Sequence, residues 1–273
     1  AIEAGNLGVK IETEKTVREI EMDGNRASSI LLEDGTRIAT DLVVSNIHPK
    51  LLYLNLLPSH ALSEHTIEHF ERYKSQSGTF RMNVALDELP EFKQRTTEHC
   101  LEAGIIMAPS LKYMDEAYMD ARRYGWSKHP IVEMLIPSIV DSSLAPDGKH
   151  VASLFCQQFD PSIKQDWDNH RDAAAATIID TVNDYAPNFR ASIIATQIHS
   201  PWDLEKKFSL VGGDIFHGRL SLEQLFSARP MLGSGQYQTE ISNVYMCGAG
   251  THPGGGVTGI PGHNAAREII KHN

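Results

Sequence analysis

The sequence predicts a mixed chain, α+β in one part and α/β in another, and three observations carry that expectation. Short β-rich runs punctuated by Asp-Gly turns fill the first fifty residues. The middle alternates apolar and polar residues at strand spacing beside two helical patterns. Near the C-terminus a compact apolar run enters a dense glycine segment and then a helical pattern.

Taken in order, strands are expected at 9–11, 17–22, 28–32, 37–39 and 42–45, with Asp23-Gly24-Asn25 and Asp34-Gly35 supplying the positive φ of tight hairpins. The run 42–45 is apolar throughout and stops before Asn46 and Pro49, which suits a buried strand whose C-terminal end delivers a loop to a cleft. Residues 49–73 turn helical and carry His60, His65 and His69. His65 and His69, four apart, share a helix face and read either as a metal pair or as a solvated polar face, with no HExxH pattern around them. Segment 79–86 alternates, placing Phe80, Met82 and Val84 on one face. Segments 131–136 and 151–159 repeat the signature across an Ala145-Pro-Asp-Gly148 turn and are expected to pair antiparallel. Helices are expected at 111–124 and 167–185, and a last strand of this part at 192–199.

Composition bounds the function. At 273 residues, 41% hydrophobic and 22% charged, the chain suits one large domain or two modest ones of roughly 150 residues each. Lys+Arg 25 against Asp+Glu 35 leaves a net charge of −10, which repels nucleic acid. No run reaches the roughly 18 apolar residues of a membrane span, and no basic-then-apolar leader opens the chain. Cys100, Cys156 and Cys247 are odd in number and far apart, which disfavours a disulfide framework or a zinc ribbon and suits a reducing, cytoplasmic (or organellar) setting. Ala1 opens on sequence that reads like mid-domain chain, so a piece of a longer protein is expected.

The chemistry concentrates in the last sixty residues. A strand over 244–247 runs into Gly248-Ala249-Gly250, then Gly254-Gly255-Gly256, and a helix follows over 263–270. Thr258 is expected to cap that helix, with Pro261 at its third position, where a missing N–H costs nothing. Glycines let backbone approach a bulky ligand, and the free N–H groups of a helix start, carrying about half a positive charge, favour an anion or an electron-rich ring. The bland reading is a turn that only closes on itself. No Walker A lysine follows, and no GxGxxG with a distal acid is present. His217 and His252 read either as proton relays or as caps on backbone carbonyls. Arg229 reads as a carboxylate or phosphate clamp or as half of a salt bridge. Met107, Met114, Met119, Tyr113 and Tyr118 read as a tunnel lining or as core. A hydrolase is disfavoured, since no Gly-x-Ser-x-Gly elbow occurs and Ser234 lacks its context.

The phrase from Asn243 to Gly259 resembles the C-terminal flavin signature of phytoene-desaturase-like FAD-dependent oxidoreductases, within the wider amine-oxidase and glutathione-reductase-type group. Gly213-Asp-Ile-Phe-His-Gly218, Ser221-Leu-Glu-Gln-Leu225 and Ala228-Arg-Pro230 are similar to one branch of that family. Asp34-Gly35 through Asn46 and Leu144 to His150 extend the likeness over nearly the whole chain. The resemblance implies the C-terminal half of such a protein: part of a glutathione-reductase-type FAD domain, 1–48 with 208–273, and an inserted substrate domain, 49–207, with an antiparallel sheet and helices. It implies FAD as cofactor, with Gly248, Ala249 and Gly250 along the ribityl and pyrophosphate. Gly255, Gly256, Val257, Thr258 and Gly259 would lie near the isoalloxazine, and Val17 near the adenine. The activity implied is two-electron transfer on an apolar small molecule, with no obligatory acid or base. The family's N-terminal GxGxxG segment is not among these residues, so FAD binding by this chain alone is expected to be weak or absent and the chain alone inactive. Self-association or a partner supplying that segment is expected. The alternative is a noncatalytic binding or interaction module that keeps the fold.

Overall fold

Val17–Asp23 (β1) and Arg26–Leu32 (β2) form the first hairpin, closed by the two-residue loop Gly24-Asn25 with φ +58° at Gly24. Arg37–Ala39 (β3) completes an antiparallel meander across a turn in which Asp34 Oδ1 accepts the Thr36 amide at 2.9 Å. Ahead of it, Ile2–Asn6 is a short helix (α1), and the strand expected at 9–11 does not form; Val9 and Ile11 are exposed, outside any sheet. These elements come from a computed structural model describing residues 1–94, 97 and 99–272.

Val43–Ser45 (β4) leads into Pro49–Leu51 (α2), a wider helical turn over Leu52–Leu56, and Glu64–Arg72 (α3). Ser63 caps α3 by accepting the Thr66 amide. The stretch 49–73 was assigned to the substrate domain by resemblance. It packs instead with the meander: Leu52, Tyr53, Phe70 and Tyr73 share one core with Ile20, Val43, Val244 and Met246, and the Tyr53 and Phe70 rings stack at 4.0 Å. The compact unit is accordingly 1–74 with 215 onward, and a second unit spans Ser75–Asp214.

The second unit holds Phe80–Leu86 (β5), Ile105–Met107 (β6), Leu111–Tyr124 (α4), Trp126–Leu135 (β7), His150–Phe159 (β8), Trp167–Tyr185 (α5), Phe189–Ser192 (α6), Ile193–His199 (β9) and Pro201–Phe208 (α7). Its sheet is antiparallel throughout, in the order β6-β7-β8-β5-β9, with the expected β7–β8 pairing. Every second residue of β5, from Phe80 to Leu86, enters a core completed by Trp167, Ile178 and Val182 of α5. Met107 is buried. Met114, Tyr118 and Met119 are exposed on α4, whose buried residues are Ala117 and Ala121, so they are not core of this unit.

The chain re-enters the first unit at Ile215 and reaches Val244–Met246 (β10) and Ile260–His272 (α8). β10 is buried at all three positions and pairs in parallel with β4, as its unbroken apolar run demands. Buried Asn243 ties this pair to the meander, donating to Ala27 O at 2.8 Å and Asp41 O at 2.9 Å and accepting the Ala27 amide at 2.9 Å. Among the described residues no helix is long and apolar enough to cross a membrane.

Candidate functional site

β10 delivers its C-terminal end to the glycine segment, and Cys247 N donates to Ser45 O at 2.8 Å, prolonging the parallel pair by one bond. Gly248 then turns at φ +79°. Its Cβ would stand 3.2 Å from Asn46 Cβ, and one on Gly250 would stand 2.8 Å from the Pro49 ring. One on Gly255 would stand 2.8 Å from Phe216. Those three positions need glycine because the unit packs tightly against itself there. Gly256 and Gly259 differ: both have positive φ, +121° and +72°, and a Cβ would meet only Thr258 Cγ2 at 3.8 Å from Gly256 and nothing from Gly259. The segment thus divides into an anchored start and an open end.

In the open end, residues 255–260 are exposed, and Val257 stands fully in solvent at φ +57°. The amides of Gly255, Gly256, Val257, Thr258 and Gly259 meet no acceptor among the described residues. α8 begins at Ile260, earlier than the helical pattern suggests, so Pro261 is its second residue. Thr258 Oγ1 accepts the Ile260 amide at 3.3 Å. Exposed residues whose N–H groups meet no acceptor among the described residues therefore run directly into a helix start.

Arg229 anchors the other end. It is fully buried and takes neither expected role, pairing with no acid among the described residues. Nε and Nη2 donate to Ala249 O at 3.0 and 2.7 Å, Nη1 to Gly218 O and Gln224 O at 3.3 Å each, and Nη2 also to Phe216 O. Five donors on four carbonyls fix the glycine segment to the 216–224 stretch.

His217 lies against Gly250, and its ring centroid is 5.7 Å from that of His48. His48 Nδ1 accepts the Lys50 amide at 3.1 Å and so caps α2. Burial, the His217 ring and the nearby Lys50 and Arg229 charges push His48 down to about 3. Burial and Arg229 also lower His217, partly offset by its ring's hydrogen bond to the Ile47 backbone. That bond matches the carbonyl-capping reading of His217, while its Nδ1 has no partner among the described residues. His252 keeps Nδ1 unpartnered likewise, and its carbonyl accepts from Tyr237 Oη at 2.8 Å. Val17 begins β1, in the meander rather than the glycine segment. His69 Nε2 bonds Pro230 O at 3.0 Å, and among the described residues no group of three His, Cys, Asp or Glu is placed to hold a metal. Sequence reasoning missed His48 and the meaning of Arg229; a His immediately before Pro49 at a helix start was the available signal for the first.

A parallel strand pair feeding a glycine segment and a helix, with a separate antiparallel unit inserted in the chain, is a fold shared with solved structures. The structure of an oxidoreductase from Methanosarcina mazei matches 98% of this chain and 51% of its own, with a TM-score of 0.60 and 17% identity. In sequence the chain is 35% identical to pyridine nucleotide-disulfide oxidoreductase domain-containing protein 2 of Mus musculus, over 99% of this chain and 48% of the relative. It is 26% identical to the lycopene-forming phytoene desaturase of Pseudescherichia vulneris, over 93% of this chain and 50% of the relative. The chain spans about half the length of the curated relatives it matches. No family model matches it. The similarity to phytoene-desaturase-like oxidoreductases carried by the Asn243–Gly259 phrase is borne out.

Proposed function

We propose that this chain is the isoalloxazine-facing half of an FAD-dependent oxidoreductase that carries out two-electron transfer on a small molecule with an apolar body. The observation that carries the reading is the open end of the glycine segment: five exposed residues whose amides have no acceptor among the described residues, beside the start of α8. Such a face suits the electron-rich edge of a flavin, and the glycines keep side chains out of the approach. Gly255, Gly256, Val257, Thr258 and Gly259 would hold the ring. Gly248, Ala249 and Gly250 would follow the ribityl and pyrophosphate, their backbone held in place by Arg229, and the Val17 backbone would meet the adenine. Bound FAD supplies the electron sink. His217 and His252, each with an unpartnered Nδ1, are the two side chains proposed to hold a proton nearby.

The N-terminal strand and dinucleotide-binding helix of such oxidoreductases are not among these 273 residues, so FAD binding by the chain alone is proposed to be weak. The test is the colour of the longest natural protein containing this chain. A yellow preparation that bleaches with dithionite, and that loses flavin in a Gly256→Glu variant placing negative charge on the face, agrees. A colourless preparation that FAD cannot reconstitute assigns the noncatalytic module instead.

A further inference from the structure

We propose that the face of the second unit's sheet opposite α5 binds the carboxylate of a small organic acid, with Arg81 as the anion-binding group and Phe155 as the floor for the acid's apolar body. The register places His199, Arg81, Phe155, Glu133 and Ile106 in one row across five strands, and Gln197, Asn83, Ser153 and Leu135 in the next. Because Phe80, Met82 and Val84 fill the core, Arg81 and Asn83 stand on the other face, in an interior strand. Arg81 Nη2 donates to Ser153 Oγ at 2.7 Å, Ser153 Oγ to Asn83 Oδ1 at 3.1 Å, and Asn83 Nδ2 to Gln197 Oε1 at 3.3 Å. The guanidinium carbon lies 5.6 Å from the Phe155 ring centroid.

This neutral chain orients Arg81 without neutralising it. Arg171, the half-buried arginine on α5, takes Asp168 and Asp203, whereas no carboxylate among the described residues pairs with Arg81. In a protein with ten more acids than bases, an oriented guanidinium left without an acid on a half-buried central strand points to an anion from outside. At one end of the row buried His199 has its Nδ1 3.3 Å from Lys207 Nζ, and at the other exposed Glu133 opposes a second negative charge, which suits a monoanion rather than a dianionic phosphate. Exposed Glu133, across Phe155, repels an acid from that end, so the carboxylate lies at Arg81 and the apolar body crosses Phe155 toward Ile106 and Leu135.

The proposal rests on the second unit being the substrate-handling part, and gives that substrate an acid group. The test titrates the full chain with 4-phenylbutyrate, its neutral amide and phenyl phosphate, followed by calorimetry and by amide chemical shifts in β5 and β8. The acid is expected to bind saturably, at least ~10-fold tighter than the amide and tighter than phenyl phosphate, and to lose ~10-fold in Arg81→Gln. Arg81→Lys should recover part of the loss, and Phe155→Ala should weaken acid and amide alike. Equal binding of acid and amide, tighter binding of phenyl phosphate, unchanged binding in Arg81→Gln, or no saturation by ~10 mM overturns it. If Arg81→Gln does not fold, the acid-to-amide ratio in the unmutated chain decides. No flavin is needed, so this outcome and the colour test stand or fall separately.

Discussion

Arg229 carries a permanent charge into the interior and has it solvated by the carbonyls of Phe216, Gly218, Gln224 and Ala249. Backbone acceptors leave no complementary residue in the sequence, which is why an acid or phosphate was the natural expectation for it. His48 beside it titrates in a defined direction. Its ordinary value near 6.5 falls to about 3 in the fold, so its contribution to stability is complete above pH 6.5 and declines as pH falls through the window toward 3. His217 shifts in the same sense. His48→Asn keeps a side-chain acceptor for the Lys50 amide and removes the proton uptake. The expected result, from denaturant titrations, is a flatter fall of the unfolding free energy between pH 7 and pH 5, by up to roughly 1.4 kcal/mol per pH unit. Parallel slopes in the two proteins would refute this assignment.

At the scale of elements, the glycine segment separates two kinds of requirement that composition alone cannot tell apart. Gly250→Ala drives a methyl into the Pro49 ring and is expected to cost about 1–3 kcal/mol. Gly259→Ala meets nothing and pays only for its positive φ, about 1 kcal/mol, with Gly259→Asn cheaper still. Thermal unfolding of the three variants checks the order. Elements with long, clean periodicity, such as β5 and α5, were legible in the sequence because one face of each fills a core. Val9 and Ile11 looked like a strand, yet no partner strand reaches them. β6 is too short to show a period, and α7 was announced only by the Ser200 to Asp203 capping box around Pro201. At the site, the glycines and Thr258 were legible, whereas the His48–His217 pair was not, since its members are far apart in sequence and meet only through folding.

Across the whole molecule, the second unit is one continuous stretch, Ser75–Asp214, with a core of its own. Expressed alone it is expected to give native-like far-UV circular dichroism and a single cooperative thermal transition; a broad, non-cooperative melt would show that its core is insufficient. The first unit is discontinuous, and its central parallel pair joins Val43–Ser45 to Val244–Met246. On a ribosome, β4 therefore waits for roughly 200 further residues, some 10–40 seconds at ~5–20 residues per second, before its partner strand exists. Through that interval the meander and the inserted stretch can finish folding while β4 remains unpaired, leaving that strand the part most in need of chaperone cover.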